Sequence, residues 1–339
     1  MSGRFLLVPV VASLGLWLYG SHAGAATAEP VALPVDFRCD RFYVEPQTAN
    51  GAILRLYTDT GGGLWLSKAA VQRLELDVVS LSEGDREMQF AALPKFAPGK
   101  GIPALDPDSD PRSGPAKGRL VVMPQDPPAD FGDGMLGQDW FAGRRWTFDY
   151  ANGQLLVGAA PIDEKQAHVV PLGFPKDESG RRKANFPSIV ATVEGVELPF
   201  LFDTGATISS SAEAALAIGV EGASECATSF IVASVFEAWR QAHPDWRVVE
   251  NADVRGGASK GEAMIEVPEV TIAGHTVGPV WFTRRADPNF HEYMSSFMDR
   301  KVDGALGGSL LRWFVVDVDY PGALARFTRI PEPKATPGG

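Results

Sequence analysis

The sequence predicts an all-β fold of two similar lobes with short helices, and three observations lead there. The 339 residues include 36 Gly and 26 Pro, a composition suited to many tight corners and few long helices. A strand, tight turn and helix occur in the same order in each half of the chain, so one supersecondary unit is written twice. With 45% hydrophobic and 22% charged residues, the chain can bury two cores of roughly 150 residues each.

Taken from the start, Arg4 followed by the apolar run Phe5 to Tyr19 and by small residues near Ala25 and Ala28 reads as an export signal over residues 1–28. The competing reading is an uncleaved anchor, but the run is interrupted by Pro9 and Ser13 and is shorter than the ~20 residues a span requires. The expected location is therefore periplasmic or secreted, with no stable membrane span after cleavage. A first lobe is expected over 29–160, a linker over 161–183 where Pro161, Pro171 and Pro175 interrupt the strand pattern, a second lobe over 184–332 and a disordered tail over 333–339.

In the first lobe the apolar run 51–58 ends in Asp59-Thr60-Gly61, followed by a helix-like stretch from Leu66 to Leu74. In the second, the run 193–202 ends in Asp203-Thr204-Gly205, followed by a Ser-initiated, Ala-rich stretch from Ser209 to Ile218. Each half then carries a Gly-apolar-Leu-Gly element, 134–137 and 304–307, before Trp140-Phe141 and Trp313-Phe314 and a closing strand pair. Those four aromatic residues are expected in the core. The spacings, 203 − 59 = 144 and 307 − 137 = 170, are unequal, so the halves match in order but differ in inserted length. A Pro- and Gly-rich excursion at Pro94 to Lys117 is expected as an exposed loop. The stretch Thr228 to His243 is expected as an inserted amphipathic helix.

One Asp-Thr-Gly is a weak signal, because a turn after a strand is commonly only a turn. Two copies in matching contexts resemble the active-site signature of aspartic peptidases of the pepsin and retropepsin type, and the likeness spans most of the chain. The resemblance implies a bilobal acid-protease fold and a peptide or protein substrate, with Asp59 and Asp203 sharing one water and one proton. Two carboxyl groups a few ångström apart cannot both ionise cheaply, so one acts as base while the other acts as acid. It also implies that Thr60 and Thr204 lock the two active-site loops together. Gly61 and Gly205, lacking Cβ, would bring backbone amides onto the carboxylates, and Gly137 and Gly307 would permit close backbone passage beneath them.

The chain departs from the pepsin pattern at the third position after each Asp, where Gly62 and Ala206 stand in place of a hydroxyl that would hydrogen-bond the carboxylate. Fewer hydrogen bonds to the charged form depress the dyad less, so a pH optimum nearer neutral than that of pepsin is expected. No Tyr lies between Tyr57 and Tyr150, so a pepsin-type flap tyrosine is lacking. The stretch 254–261, with Gly256, Gly257 and Ala258 at its centre, reads as a glycine-tipped hairpin and candidate flap. An ordinary exposed turn is the other reading of the same residues.

Other chemistries find less support. A net charge of −11 disfavours nucleic-acid partners, which require clustered cations. The five His are scattered without metal-ligand spacing, and no cofactor motif appears. The pattern Gly257-Ala-Ser259-Lys-Gly261 with Asp287 and His291 downstream matches a serine-hydrolase spacing, but it lacks the strand before and helix after that such an elbow needs. A non-catalytic peptide-binding module on the same fold is the rival from another class. Cys39 and Cys226 are either a bond between the halves or two buried thiols. The mature protein is expected to act as a monomer.

Overall fold

The computed structural model describes residues 29–83, 86–127, 131–255 and 261–331. The expected export signal, the C-terminal tail, Ser259 and the candidate flap residues Gly256, Gly257 and Ala258 lie outside them. The protein is all-β with short helices, as predicted. Three large sheets carry it: an eight-stranded sheet from the first half, a nine-stranded sheet from the second, and a six-stranded sheet shared by both.

The shared sheet is where the halves join. Its central pair is Arg145–Asp149 of the first half against Phe314–Asp319 of the second, antiparallel. The region expected as a linker contributes the edge strand Val169–Pro171, paired with Leu324–Arg329. Above this sheet Trp140, Phe141, Trp146, Phe148 and Phe314 are fully buried, so the aromatic segments are core, as expected. A buried indole needs an acceptor for its N–H, and Trp140 finds one in the Pro103 carbonyl at 2.9 Å. That contact explains why the 94–117 excursion is not simply exposed: it folds back as irregular chain and buries Ile102, Leu105 and Ala116.

The two lobes match in strand pairing and register as well as in order. In the first, Leu56–Thr58 pairs parallel with Gly134–Leu136, which pairs antiparallel with Trp65–Leu66, which pairs parallel with Arg119–Val122. In the second, Val196–Phe202 pairs parallel with Gly304–Leu306, then antiparallel with Ser229–Val232, then parallel with Val280–Arg285. Trp65 faces Met135 as Phe230 faces Ala305, which fixes the equivalences residue by residue.

This register corrects the helix correspondence read from sequence. The first-lobe helix Lys68–Arg73, capped by Ser67 Oγ accepting from Ala70 N–H at 3.0 Å, follows the strand Trp65–Leu66. Its equivalent is Ala233–Ala242, which follows Ser229–Val232. That helix is therefore part of the repeat, and residues 229–232 are a central strand in front of it. The true insertion lies between Ala206 and Thr228. Asp59 and Asp203 differ by 144 and Trp65 and Phe230 by 165, so 165 − 144 = 21 residues have been added directly behind the second Asp. The insertion holds the hairpin Thr207–Ser209 with Glu225–Ala227 and the helix Ala212–Ala217, capped by Ser211.

The inserted hairpin is fastened to the first lobe. Cys39 and Cys226 form a disulfide, with Cα atoms 5.0 Å apart. Arg41 Nη1 donates to Glu225 at 2.6 Å, both side chains largely buried, and the Ala227 N–H donates to the Cys39 carbonyl at 3.0 Å. Cys39 and Asp40 adopt positive φ, 44° and 59°, so the turn carrying these contacts is held in a conformation rare for side-chain-bearing residues.

Candidate active site

Each Asp sits one residue past a strand whose neighbour returns from the far end of its lobe. The Asp59 N–H donates to Leu136 O at 3.0 Å and the Asp203 N–H to Leu306 O at 2.9 Å, so the Gly-apolar-Leu-Gly elements anchor the backbone of both Asp-Thr-Gly turns. Close passage makes Gly obligatory here. A Cβ at Gly137 would overlap the carbonyl oxygens of Gly62 and Gly63, and one at Gly307 would overlap Thr228 O.

Asp59 and Asp203 meet at the junction of the lobes. Each carboxyl group lies against the other loop's glycine: a Cβ placed on Gly61 would lie 2.6 Å from Asp203 Cγ, and one on Gly205 would lie 2.0 Å from Asp59 Cγ. Gly61 N–H donates to Asp59 Oδ1 at 2.8 Å, and Gly205 N–H donates to Asp203 Oδ1 at 2.9 Å. The Thr residues cross over: Thr204 N–H donates to Thr60 Oγ1 at 2.9 Å and Thr60 N–H to Thr204 Oγ1 at 3.2 Å, while Thr60 Oγ1 donates to Phe202 O at 2.8 Å. All six residues expected at the site are thus together. Thr60→Val, which keeps the shape but deletes the hydroxyl, strands two buried backbone groups. It is expected to lower the unfolding free energy by about 2–4 kcal/mol, measurable by urea denaturation; a loss under ~0.5 kcal/mol would show that the cross-lobe bonds are dispensable.

The electrostatics follow from burial. Asp59 and Asp203 are only 8% and 9% exposed. Burial raises the Asp59 carboxyl well above the ordinary range, with the neighbouring Asp203 charge adding to it. Burial raises Asp203 as well, against hydrogen bonds from Asp59 and from backbone amides. The pair therefore keeps one proton to a higher pH than two free carboxyls would. At Gly62 a Cβ would come within 2.6 Å of Asp59 Cγ and of Met135 Sδ, so the missing hydroxyl is matched by missing space for any side chain.

Several residues at the site escaped the sequence reading. Tyr57, two before Asp59 and 1% exposed, donates its hydroxyl to Gly205 O at 3.0 Å and lies 2.7 Å from Thr207 Oγ1, a second tie between the loops. The period-2 rule would have placed it on the same strand face as the Asp. On the Asp203 side, a pocket of about 260 Å³ opens between Leu201, Phe230, Arg285, Phe290 and Met294.

The strands Val248–Asp253 and Glu262–Val267, which flank the candidate flap in sequence, pair antiparallel, and its named residues lie outside the described ones. Its first-lobe equivalent is the hairpin Val78–Glu83 with Arg86–Ala92. Asp287 and His291 are engaged elsewhere. Asp287 accepts from Ser234 N–H at 2.9 Å, and His291 pairs with Asp303 at 2.9 Å.

No family model matches the sequence, and no curated protein matches it either. Among solved structures, the chain is similar to an aspartic proteinase from Irpex lacteus. The match covers 89% of this chain and 97% of that one, at 12% identity and a TM-score of 0.45.

Proposed function

We propose that the protein is an aspartic endopeptidase. One observation carries the reading: two buried carboxyl groups, one from each half of a duplicated fold, face each other across loops held by reciprocal Thr contacts. A like-charge pair of this kind is costly to fold around, and it clusters at sites of proton transfer. In the reaction, the ionised member of the dyad takes a proton from a water bound between the two. The water oxygen forms a bond to the scissile carbonyl carbon, and the protonated member gives its proton to the carbonyl oxygen. Breakdown of the resulting gem-diol breaks the C–N bond, with the nitrogen protonated from the dyad. No covalent enzyme intermediate forms. General acid–base action of this sort accounts for roughly 10²–10⁴-fold per group.

Export belongs to the same reading, supported by the apolar N-terminal run and by a buried interlobe disulfide suited to an oxidising compartment.

The test is cleavage of a mixed peptide substrate across pH, with Asp59→Asn as control. Activity in the variant equal to wild type would sink the mechanism. The same assay reads the pH dependence. Because the dyad is buried and lacks the two flanking hydroxyls, the maximum is expected between about pH 4.5 and 7, and a profile peaking near pH 2–3 would contradict that expectation.

A further inference from the structure

The two sides of the dyad are related by the register of the lobes, yet they are not filled alike. Tyr57 on the Asp59 side corresponds to Leu201, Trp65 to Phe230, and Met135 to Ala305. At each of these positions the first lobe has the larger side chain. The neighbouring element reads Phe131-Gly-Asp-Gly-Met-Leu-Gly in the first lobe and Lys301-Val-Asp-Gly-Ala-Leu-Gly in the second, so Phe131 occupies the position of Lys301. The Phe131 ring stacks on Trp65 at 5.7 Å and meets Tyr57 edge-on at 5.6 Å. Its ring therefore covers Trp65 and Tyr57, the counterparts of Phe230 and Leu201, which on the other side line the pocket together with Phe290 and Met294. In that pocket Arg285 is paired with Asp253 at 2.6 Å and its guanidinium carbon lies over the Phe230 ring, 4.0 Å from the centroid. Its charge is compensated and the cavity is mainly apolar.

Resting on the peptidase reading above, we infer that selectivity is one-sided. The Asp203 side takes a bulky apolar substrate side chain, whereas Phe131 closes the Asp59 side to all but small residues. Phe131 is thus a specificity-determining residue, and the substrates are peptides with a bulky apolar residue on one flank of the scissile bond and Gly, Ala or Ser on the other. Burying a large apolar group stabilises the bound state only where there is room for it; overpacking costs at least as much as the contact returns.

The experiment profiles the full-length protein with fluorescence-quenched peptides varied independently at the two flanking positions. Wild type is expected to prefer bulky residues at one position and to discriminate against them at the other. Phe131→Ala should raise kcat/KM for peptides bulky at the restricted position, relative to those with Ala there, by about tenfold or more. Phe131→Leu should give a smaller shift in the same direction, which keeps the test decisive if the Ala variant is poorly folded. Met294→Ala should instead alter preference at the other position. Wild type that cleaves doubly bulky peptides as well as singly bulky ones, or a ratio unmoved in both Phe131 variants, overturns the inference while leaving the peptidase reading standing. Absence of cleavage with every peptide at every pH removes the peptidase reading, and this inference with it.

Discussion

Replacing both Cys39 and Cys226 with Ala is expected to lower the unfolding free energy by about 5 kcal/mol, a large share of the 5–15 kcal/mol typical of a folded domain. The bond closes a loop with a sequence separation of 187, and the chain entropy it removes from the unfolded state grows with loop length. Cys39 is 3% exposed and Cys226 0%, so truncation also leaves space in a packed cluster with Val220 and Ala223. Cys226 pairs in register with Ile208 on the strand that leaves the Asp203 turn, so loss of the bond loosens the backbone directly behind one member of the dyad. Guanidinium denaturation of the double variant reads the effect. A loss below about 1 kcal/mol would mean that the Arg41–Glu225 pair and the shared sheet already hold the insertion. Because both sulfurs are buried, a mild reductant added to native protein should leave activity in place until conditions also unfold the chain.

The disulfide shows where sequence reading stops. The all-β fold, the dyad and the glycines beneath it were legible because each depends on a local pattern repeated at two places: an apolar strand, Asp-Thr-Gly, then Gly-apolar-Leu-Gly. Which cysteine conformations were reachable depended on a turn with two positive-φ residues, Cys39 and Asp40, and on where an insertion folded back. Neither has a pattern along the chain. The helix correspondence failed for a related reason. Ser209 to Ile218 has the stronger propensity, with Ser start and Ala run, and propensity is a weaker guide than register. Only the strand pairing Phe230 with Ala305 reveals that Ala233–Ala242 is the repeated helix. Phe131 was silent for a third reason: its significance lies in its contacts with Trp65 and Tyr57, which no spacing along the chain announces, whereas Tyr57, two residues before Asp59, could have been placed by the strand period.

Asp203→Asn is expected to abolish peptide cleavage, by about 10³-fold or more in kcat, and at the same time to make the protein more stable at neutral pH. The sign follows from proton linkage. Folding raises the pKa of Asp59 and of Asp203 above their ordinary values. Between the unfolded value near 3.9 and the raised folded value, the native state binds more protons than the unfolded chain. Stability from these groups is therefore fully present below about pH 4 and is lost as pH rises through the folded pKa. Each unit of upward shift corresponds to about 1.4 kcal/mol forfeited above it. The Asn variant removes one of the two charges and with it the share of the Asp59 shift that the Asp203 charge adds to burial, so its melting temperature should match wild type near pH 4 and exceed it increasingly toward pH 7–8. Calorimetric scans at matched ionic strength across that range give the result. A difference that is flat with pH, or wild type gaining stability relative to the variant as pH rises, would show that the two carboxyls do not share a proton in the folded protein. The opposite movements of rate and stability in one substitution are what distinguishes a dyad kept for chemistry from a hydrogen-bonded pair kept to hold the lobes together.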